Sequence, residues 1–271
     1  MIDNLLFVSL IAPGTMVTRV AVVTQDDPFY MPEFFRSFLS TLSKDISIRE
    51  VTLLDAFDEP LHSLVSRMLR LYGPRNFVVR GLQYVSRTAL DTLGRGQYSV
   101  TSIAADHGIP FEHRESVNDP AYVEWVENEE IDIVLSVSAP QIFDEPLLEA
   151  PTWGCINVHA GKLPDYRGMF PTFWALFKDE SEFGVTVHTM TPKIDRGQRV
   201  KESVRPIHPD DSLDDVIIRG KRTGGKLAAD VLDEIERGTA SLTPIGGDGT
   251  YYSFPTLEER REFQKRGNHL L

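Results

Sequence analysis

Apolar positions change period several times along this chain. Val17 to Thr24 (VTRVAVVT) is a β-rich run that closes on the polar turn Gln25-Asp26-Asp27-Pro28. Tyr30, Phe34, Phe35, Phe38 and Leu39 then recur at helical spacing, and Ile46 to Leu54 reads as a second strand. The alternation returns downstream. Val100 to Asp106 and Pro120 to Asn128 read as helices, with a short strand at Ile109-Pro110-Phe111 between them. Ile131 to Val137 (IDIVLSV) is nearly all apolar, as expected of a strand covered on both faces of a parallel sheet. Ser138 to Phe143 forms its exit loop, Asp144 to Ala150 a short helix, and Cys155 to Val158 the next strand. Strands alternating with helices predict an α/β protein on an open, mostly parallel sheet.

Two stretches stand outside this alternation. Leu61 to Gly96 holds Arg67, Arg70, Arg75, Arg80, Arg87 and Arg95 among Leu, Val, Phe and Tyr, with only Asp91 to oppose them. The pattern predicts two amphipathic helices broken near Gly73-Pro74. Two readings stay open: a structural helical pair with a solvated face, or a basic flap that meets a phosphorylated substrate or an anionic membrane surface. Further on, Ser212 and Asp215 have capping-box spacing ahead of a long helix that ends near Gly238. Thr239 to Leu271 adds a strand-like piece and a charged helix, Leu257 to Gly267. The division is a leader at 1–15, a main domain at 16–238 with an insertion at about 61–96, and a C-terminal extension at 239–271.

Charge narrows the partners. A net charge of -12 argues against a protein that binds nucleic acid through its overall field. Between Asp106 and Glu149 the only Lys or Arg is Arg114, which reads as a solvated acidic surface. The single cysteine, Cys155, excludes an internal disulfide and a multi-cysteine metal site, so a reducing cytoplasm is the default compartment. The N-terminal stretch is apolar from Leu5 to Ala12 but carries Asp3 and no basic start, a poor secretory signal too short to span a bilayer. Nothing in the chain reads as transmembrane.

Candidate chemistry concentrates between Ile156 and Val200. Alternation in a strand puts Asn157 and His159 on one face and Val158 on the other, at a strand end where open α/β sheets place their ligands. Asp195 follows the next strand, Gly184 to His188, and can reach the same rim. An amide can donate to a developing oxyanion, a histidine can take or give a proton near neutral pH, and a carboxylate can set that histidine's protonation. Each residue alone is more often an ordinary hydrogen-bonded polar group. Other features are decoys. Gly220 to Leu227 (GKRTGGKL) mimics a phosphate loop, but Leu227 replaces the required Ser or Thr and the stretch lies inside the long helix. Cys155 reads as a small buried residue rather than a nucleophile, and His188 as a supporting group on a core strand. No GxGxxG follows the first strand, and the seven histidines show no metal-ligand spacing, so no metal is expected.

Four segments taken together add a family. Asn157-Val158-His159, Leu163-Pro164-Asp165-Tyr166-Arg167-Gly168, Gly184-Val185-Thr186-Val187-His188 and Asp195-Arg196-Gly197 resemble the folate-dependent formyltransferases, in order and spacing from Ile131 to about Gly238. The resemblance implies a Rossmann-like open, mostly parallel twisted sheet with helices on both faces, here with a helical insertion and a short C-terminal extension. It carries the catalytic roles onto Asn157, His159 and Asp195. The folate pocket falls on Ser138, Ala139, Pro140, Gln141, Ile142 and Phe143, and on Thr191, Pro192, Lys193 and Ile194. Lys162, Tyr166, Arg167 and Trp174 fall on the acceptor side. The implied formyl donor is N10-formyltetrahydrofolate, without a metal. One departure stands out: where the family usually has Ser-Leu-Leu-Pro, this chain has Gly161-Lys162-Leu163-Pro164.

The resemblance leaves the acceptor to be chosen. A tRNA formyltransferase carries a full extra domain with a basic face where only Thr239 to Leu271 follow here, and the acidic turn after the first strand is unsuited to the phosphate of glycinamide ribonucleotide. The Tyr166-Arg167-Gly168 and Pro171-Thr172-Phe173-Trp174 pattern is similar to enzymes that formylate amino sugars. The expected acceptor is therefore the primary amine of an amino sugar, carried on a nucleotide, with no nucleic acid and with a homodimer left open. Hydrolysis of formyltetrahydrofolate, a formyltransferase of the glycinamide ribonucleotide or methionyl-tRNA type, and a non-catalytic folate-binding module are the alternatives.

Overall fold

A computed structural model describes residues 17–55 and 61–271; the expected leader at 1–15 lies outside the described residues. Five strands run parallel, each joined to the next by helix that crosses a sheet face. They are β1 (Thr18–Gln25), β2 (Ile46–Leu54), β3 (Phe111–Arg114), β4 (Ile133–Val137) and β5 (Gly154–His159). The crossovers carry α1 (Met31–Thr41), α2 (Leu61–Thr92), α3 (Val100–Asp106), α4 (Pro120–Asn128) and α5 (Glu145–Glu149). The second half contributes β6 (Arg167–Gly168), α6 (Pro171–Phe177), β7 (Glu182–Thr189), β8 (Gln198–Pro206), α7 (Leu213–Glu236), β9 (Thr243–Pro244), β10 (Tyr251–Tyr252) and α8 (Leu257–Lys265).

The main sheet has the order β3-β2-β1-β4-β5-β7-β8-β9, with β7, β8 and β9 antiparallel to their neighbours. This is the expected Rossmann-like α/β sheet. Chain order reverses between β1 and β4, so a crevice opens at the carboxyl ends of those strands. Alternation sorts the core into two halves. Val20, Val22, Leu135 and Ile156 face α1, α6 and α7, while Ala21, Val23, Val134 and Cys155 face α4 and α5. All of β4 is buried, as its apolar run predicts.

Local signals explain most boundaries. α7 starts on a reciprocal capping box, Ser212 Oγ accepting from Asp215 N–H and the Asp215 carboxylate accepting from Ser212 N–H. α2 is interrupted at Gly73, whose φ of 73° and ψ of 167° are non-helical, so the predicted break lies where Gly73-Pro74 put it. The short strand expected at Ile109-Pro110-Phe111 instead begins at Phe111 and runs to Arg114, because ladder pairing with β2 starts at Val51 and Phe111. β8 has no alternating apolar signal of its own; pairing along β7 makes it a strand.

The insertion is latched to the body by its arginines. Arg80 is buried among the rings of Phe29, Tyr30 and Tyr72 and pairs with Asp214. Arg87 stacks near Phe29 and Tyr98 and donates to the Pro28 carbonyl at 2.6 Å. These two side chains hold α2 against the start of α1 and α7, which is a structural task rather than that of a free cationic flap.

Candidate active site

Three segments meet at the carboxyl end of β5. Asn157 and His159 lie on its second-core face, and β7 runs antiparallel beside it, pairing Asn157 with His188 and His159 with Thr186. The connection from β7 to β8 then delivers Asp195. That turn is tight for steric reasons. Asp195 adopts φ 50°, and a Cβ at Gly197 would lie 1.6 Å from the Thr189 carbonyl oxygen, so only glycine closes the turn. The Asp-x-Gly signature is thus a device for aiming a carboxylate back at the strand ends.

The side chains form a buried cluster. His159 Nδ1 stands 3.6 Å from Asp195 Oδ2, and His188 Nε2 stands 3.4 Å from Asp195 Oδ1. Gly168 N–H donates to Asp195 Oδ2 at 2.8 Å. Asn157 Nδ2 is 3.3 Å from His188 Nε2, whose partner nitrogen faces the Thr189 carbonyl at 2.8 Å. His159 Nε2 faces the Tyr166 carbonyl at 2.8 Å, so that nitrogen carries a hydrogen and Nδ1 is left basic, directed at Asp195. His159 therefore does not hold a free donor here. Asn157, whose amide has a second N–H, does.

Electrostatics fit a proton acceptor. Burial pushes the His159 imidazolium below its usual range, with Asp195 opposing the fall and His188 adding to it. Burial works to raise the Asp195 carboxyl, yet the charge of His159, the His188 ring and the Gly168 N–H together hold it at about 2. The pair is complementary: Asp195 is ionised, and any proton that reaches His159 Nδ1 faces a carboxylate.

The two loops expected to hold folate border this cluster. Ser138 leaves β4 with φ 52°, and Gln141 ties the loop down by accepting from Val117 N–H and donating to the Glu115 carbonyl. Phe143 is buried in the second core. Ile142 is 56% exposed, and Ile194 on the opposite loop is 42% exposed. Apolar side chains left open on both loops, with backbone groups beside them, suit the flat heteroaromatic ring of a pterin.

On the acceptor side the expected residues divide. Lys162 and Tyr166 line a cleft of about 170 Å³ with Gly161, Asp165, Glu180 and Glu182, Lys162 pairing with Glu182 at 2.8 Å and Tyr166 donating to Glu180 at 2.5 Å. Arg167 and Trp174 are instead buried and engaged elsewhere. Arg167 donates to the Asp248 and Thr250 carbonyls, and Trp174 Nε1 to the Ser253 carbonyl at 3.0 Å. The C-terminal segment causes this. β10 pairs in parallel with β6, Tyr252 stacks on Tyr166 and Trp174, and Phe263 stacks on Phe173. The segment after Thr239 therefore backs the Tyr166 side of the cleft, a role its sequence did not announce. Gly161 is the other feature: a Cβ there would lie 2.6 Å from His159 Nε2, so the departure from serine makes room for the imidazole as it stands.

Comparisons with known proteins agree on one family. The model of the family described as formyl transferase matches residues 88–232. Methionyl-tRNA formyltransferase of Trichlorobacter lovleyi is 34% identical over 168 residues, 60% of this chain and 52% of that protein. The chain thus spans about half the length of the curated relatives it matches. Among solved structures, glycinamide ribonucleotide transformylase 1 of Symbiobacterium toebii aligns with a TM-score of 0.59 at 14% identity, over 86% of this chain and 96% of that one. An N-formyltransferase of Helicobacter canadensis in complex with folinic acid and dTDP-3-aminofucose aligns with a TM-score of 0.55 at 16% identity, over 87% and 71%.

Proposed function

The chain belongs to the formyl transferase family, whose model matches more than half of its length, and from that premise we propose that it transfers a formyl group from N10-formyltetrahydrofolate to a primary amine. The observation that supports this best is the approach of His159 to Asp195 at the end of β5, with the half-buried Asn157 joined to Asp195 through His188. When bound, the folate supplies the activated formyl carbon. The second N–H of Asn157 is the donor for negative charge that develops on the formyl oxygen. His159 Nδ1 would take the proton that leaves the attacking amine, be held as imidazolium against Asp195, and return that proton to N10 as the bond from N10 to the formyl carbon breaks. The loops at 138–143 and 191–194 would hold the pterin, with the exposed Ile142 and Ile194 offering it apolar surface. Lys162 and Tyr166 border the acceptor.

The acceptor we assign is an amino sugar carried on a nucleotide. Its support is the Tyr166-to-Trp174 pattern, the chain's acidity, and structural relatives such as the Helicobacter canadensis protein with a nucleotide-linked amino sugar bound. The sequence relatives favour a second reading, formylation of methionyl-tRNA. Incubating the protein with N10-formyltetrahydrofolate and a panel of nucleotide-linked amino sugars, alongside methionyl-tRNA and an amine-free control, separates them by mass. A formyl gain on a sugar supports the assignment. Gain on the tRNA alone, or formate released without any amine, replaces it.

A further inference from the structure

The Gly220–Leu227 stretch that mimics a phosphate loop has a different job. Its glycines are packing residues. A Cβ on Gly225 would lie 2.4 Å from the Phe34 carbonyl oxygen, one on Gly224 3.0 Å from Val158, and one on Gly220 3.4 Å from Phe183. They seat α7 flush against α1, β5 and β7. With the helix that close, Lys221 spans the head of the sheet, and its ammonium donates to Ser138 Oγ. Ser138 is the residue on which the chain leaves β4, and it holds a left-handed φ of 52° that a residue with a side chain seldom adopts. Such a conformation persists where surrounding contacts over-determine it. Lys221 makes no salt bridge among the described residues; Asp27, at the exit of β1, acts on it only through the field, and burial holds its pKa down at about 8.

We propose that Lys221 is a positioning residue for the folate loop: by clamping the Ser138 hydroxyl it fixes where residues 138–143 begin, and so sets the affinity for the formyl donor. The proposal rests on the reading that this loop binds folate. It separates Lys221 from the proton chemistry, since Ser138 follows the end of β4 whereas Asn157 and His159 lie on β5.

Calorimetry with 5-formyltetrahydrofolate tests it, on the full chain and three variants: Lys221→Met, Ser138→Ala and the double. Losing a hydrogen bond from a charged donor is worth about a tenfold change in Kd. Each single variant is expected to bind about tenfold more weakly, the double no more weakly than Lys221→Met alone, and kcat of Lys221→Met at saturating donor to stay within about threefold of the parent. Wild-type affinity in Lys221→Met, or losses that simply add in the double, overturns the clamp. If Lys221→Met fails to fold, Ser138→Ala decides alone: it must weaken donor binding at an unchanged melting temperature. Failure of the unaltered protein to bind 5-formyltetrahydrofolate overturns the folate reading together with the clamp, whereas binding that ignores Lys221 overturns the clamp only.

Discussion

Asp195 gathers more constraints than any other residue of the site: a left-handed backbone, a neighbouring glycine that nothing else can replace, one backbone N–H and two imidazoles. Its carboxylate should be needed for turnover and not for holding the donor. Asp195→Asn is expected to lower kcat by about a hundredfold or more while the Kd for 5-formyltetrahydrofolate changes little. The same cluster fixes an acid dependence. His159 titrates below its ordinary 6.5 when folded, so as pH falls through 6.5 the unfolded chain takes up the proton first and stability declines. Asp195, held at about 2 against an ordinary 3.8, adds a second decline between those values. Denaturant unfolding at stepped pH should show both, and Asp195→Asn should reduce the lower one, to which Asp211 beside Arg219 also contributes. At Gly161 the expectation is steric: Gly161→Ser displaces the His159 ring and should cost about tenfold or more in kcat with donor affinity retained. Strand alternation put Asn157 and His159 on one face with Asp195 in reach, and the family resemblance gave the three their expected roles. The burial of Arg167 and Trp174 was not legible, because their partners, Asp248, Thr250 and Ser253, lie about 80 positions away in the chain and leave no trace in the local pattern.

At the scale of elements, α7 and α2 show how packing decides what a motif means. The glycines of α7 are set by contact with α1, so Gly225→Ala should cost about 1–3 kcal/mol through overpacking against the Phe34 backbone, read as a lower denaturation midpoint. In α2, the arginine series looked like one basic face, yet Arg80 sits in an aromatic cage and pairs with Asp214. Removing it leaves a largely buried carboxylate without its partner. Arg80→Met is expected to destabilise the protein by about 3 kcal/mol. Amphipathic period and caps made these helices readable; which face met the body was not, because arginine serves solvent and aromatic cages equally well. β8 was missed for a related reason: its half-exposed QRVKESVRP has no apolar alternation, and its strand character comes from β7.

At the scale of the whole molecule, the described residues form an eight-stranded sheet and a small β6–β10 pair, and the later segments close back on the end that carries Asn157 and His159. β1 to β5 follow from alternating patterns, and the crevice follows from their order. The contribution of 239–271 does not, since parallel pairing of β10 with β6 and the stacking of Phe263 on Phe173 are long-range. Phe263→Ala should therefore cost about 3–5 kcal/mol and loosen the Tyr166 side of the site along with the fold. The claim that joins these scales is that Asn157, His159 and Asp195 move a formyl group from folate to an amine. It is tested most directly by following a 13C-labelled formyl group from N10-formyltetrahydrofolate to a nucleotide-linked amino sugar, by mass, in the unaltered protein, Asn157→Ala and Asp195→Ala. The account predicts label on the sugar amine with the unaltered protein and at least a hundredfold slower labelling with both variants, each still binding folate. Labelling by both variants at the unaltered rate would contradict it.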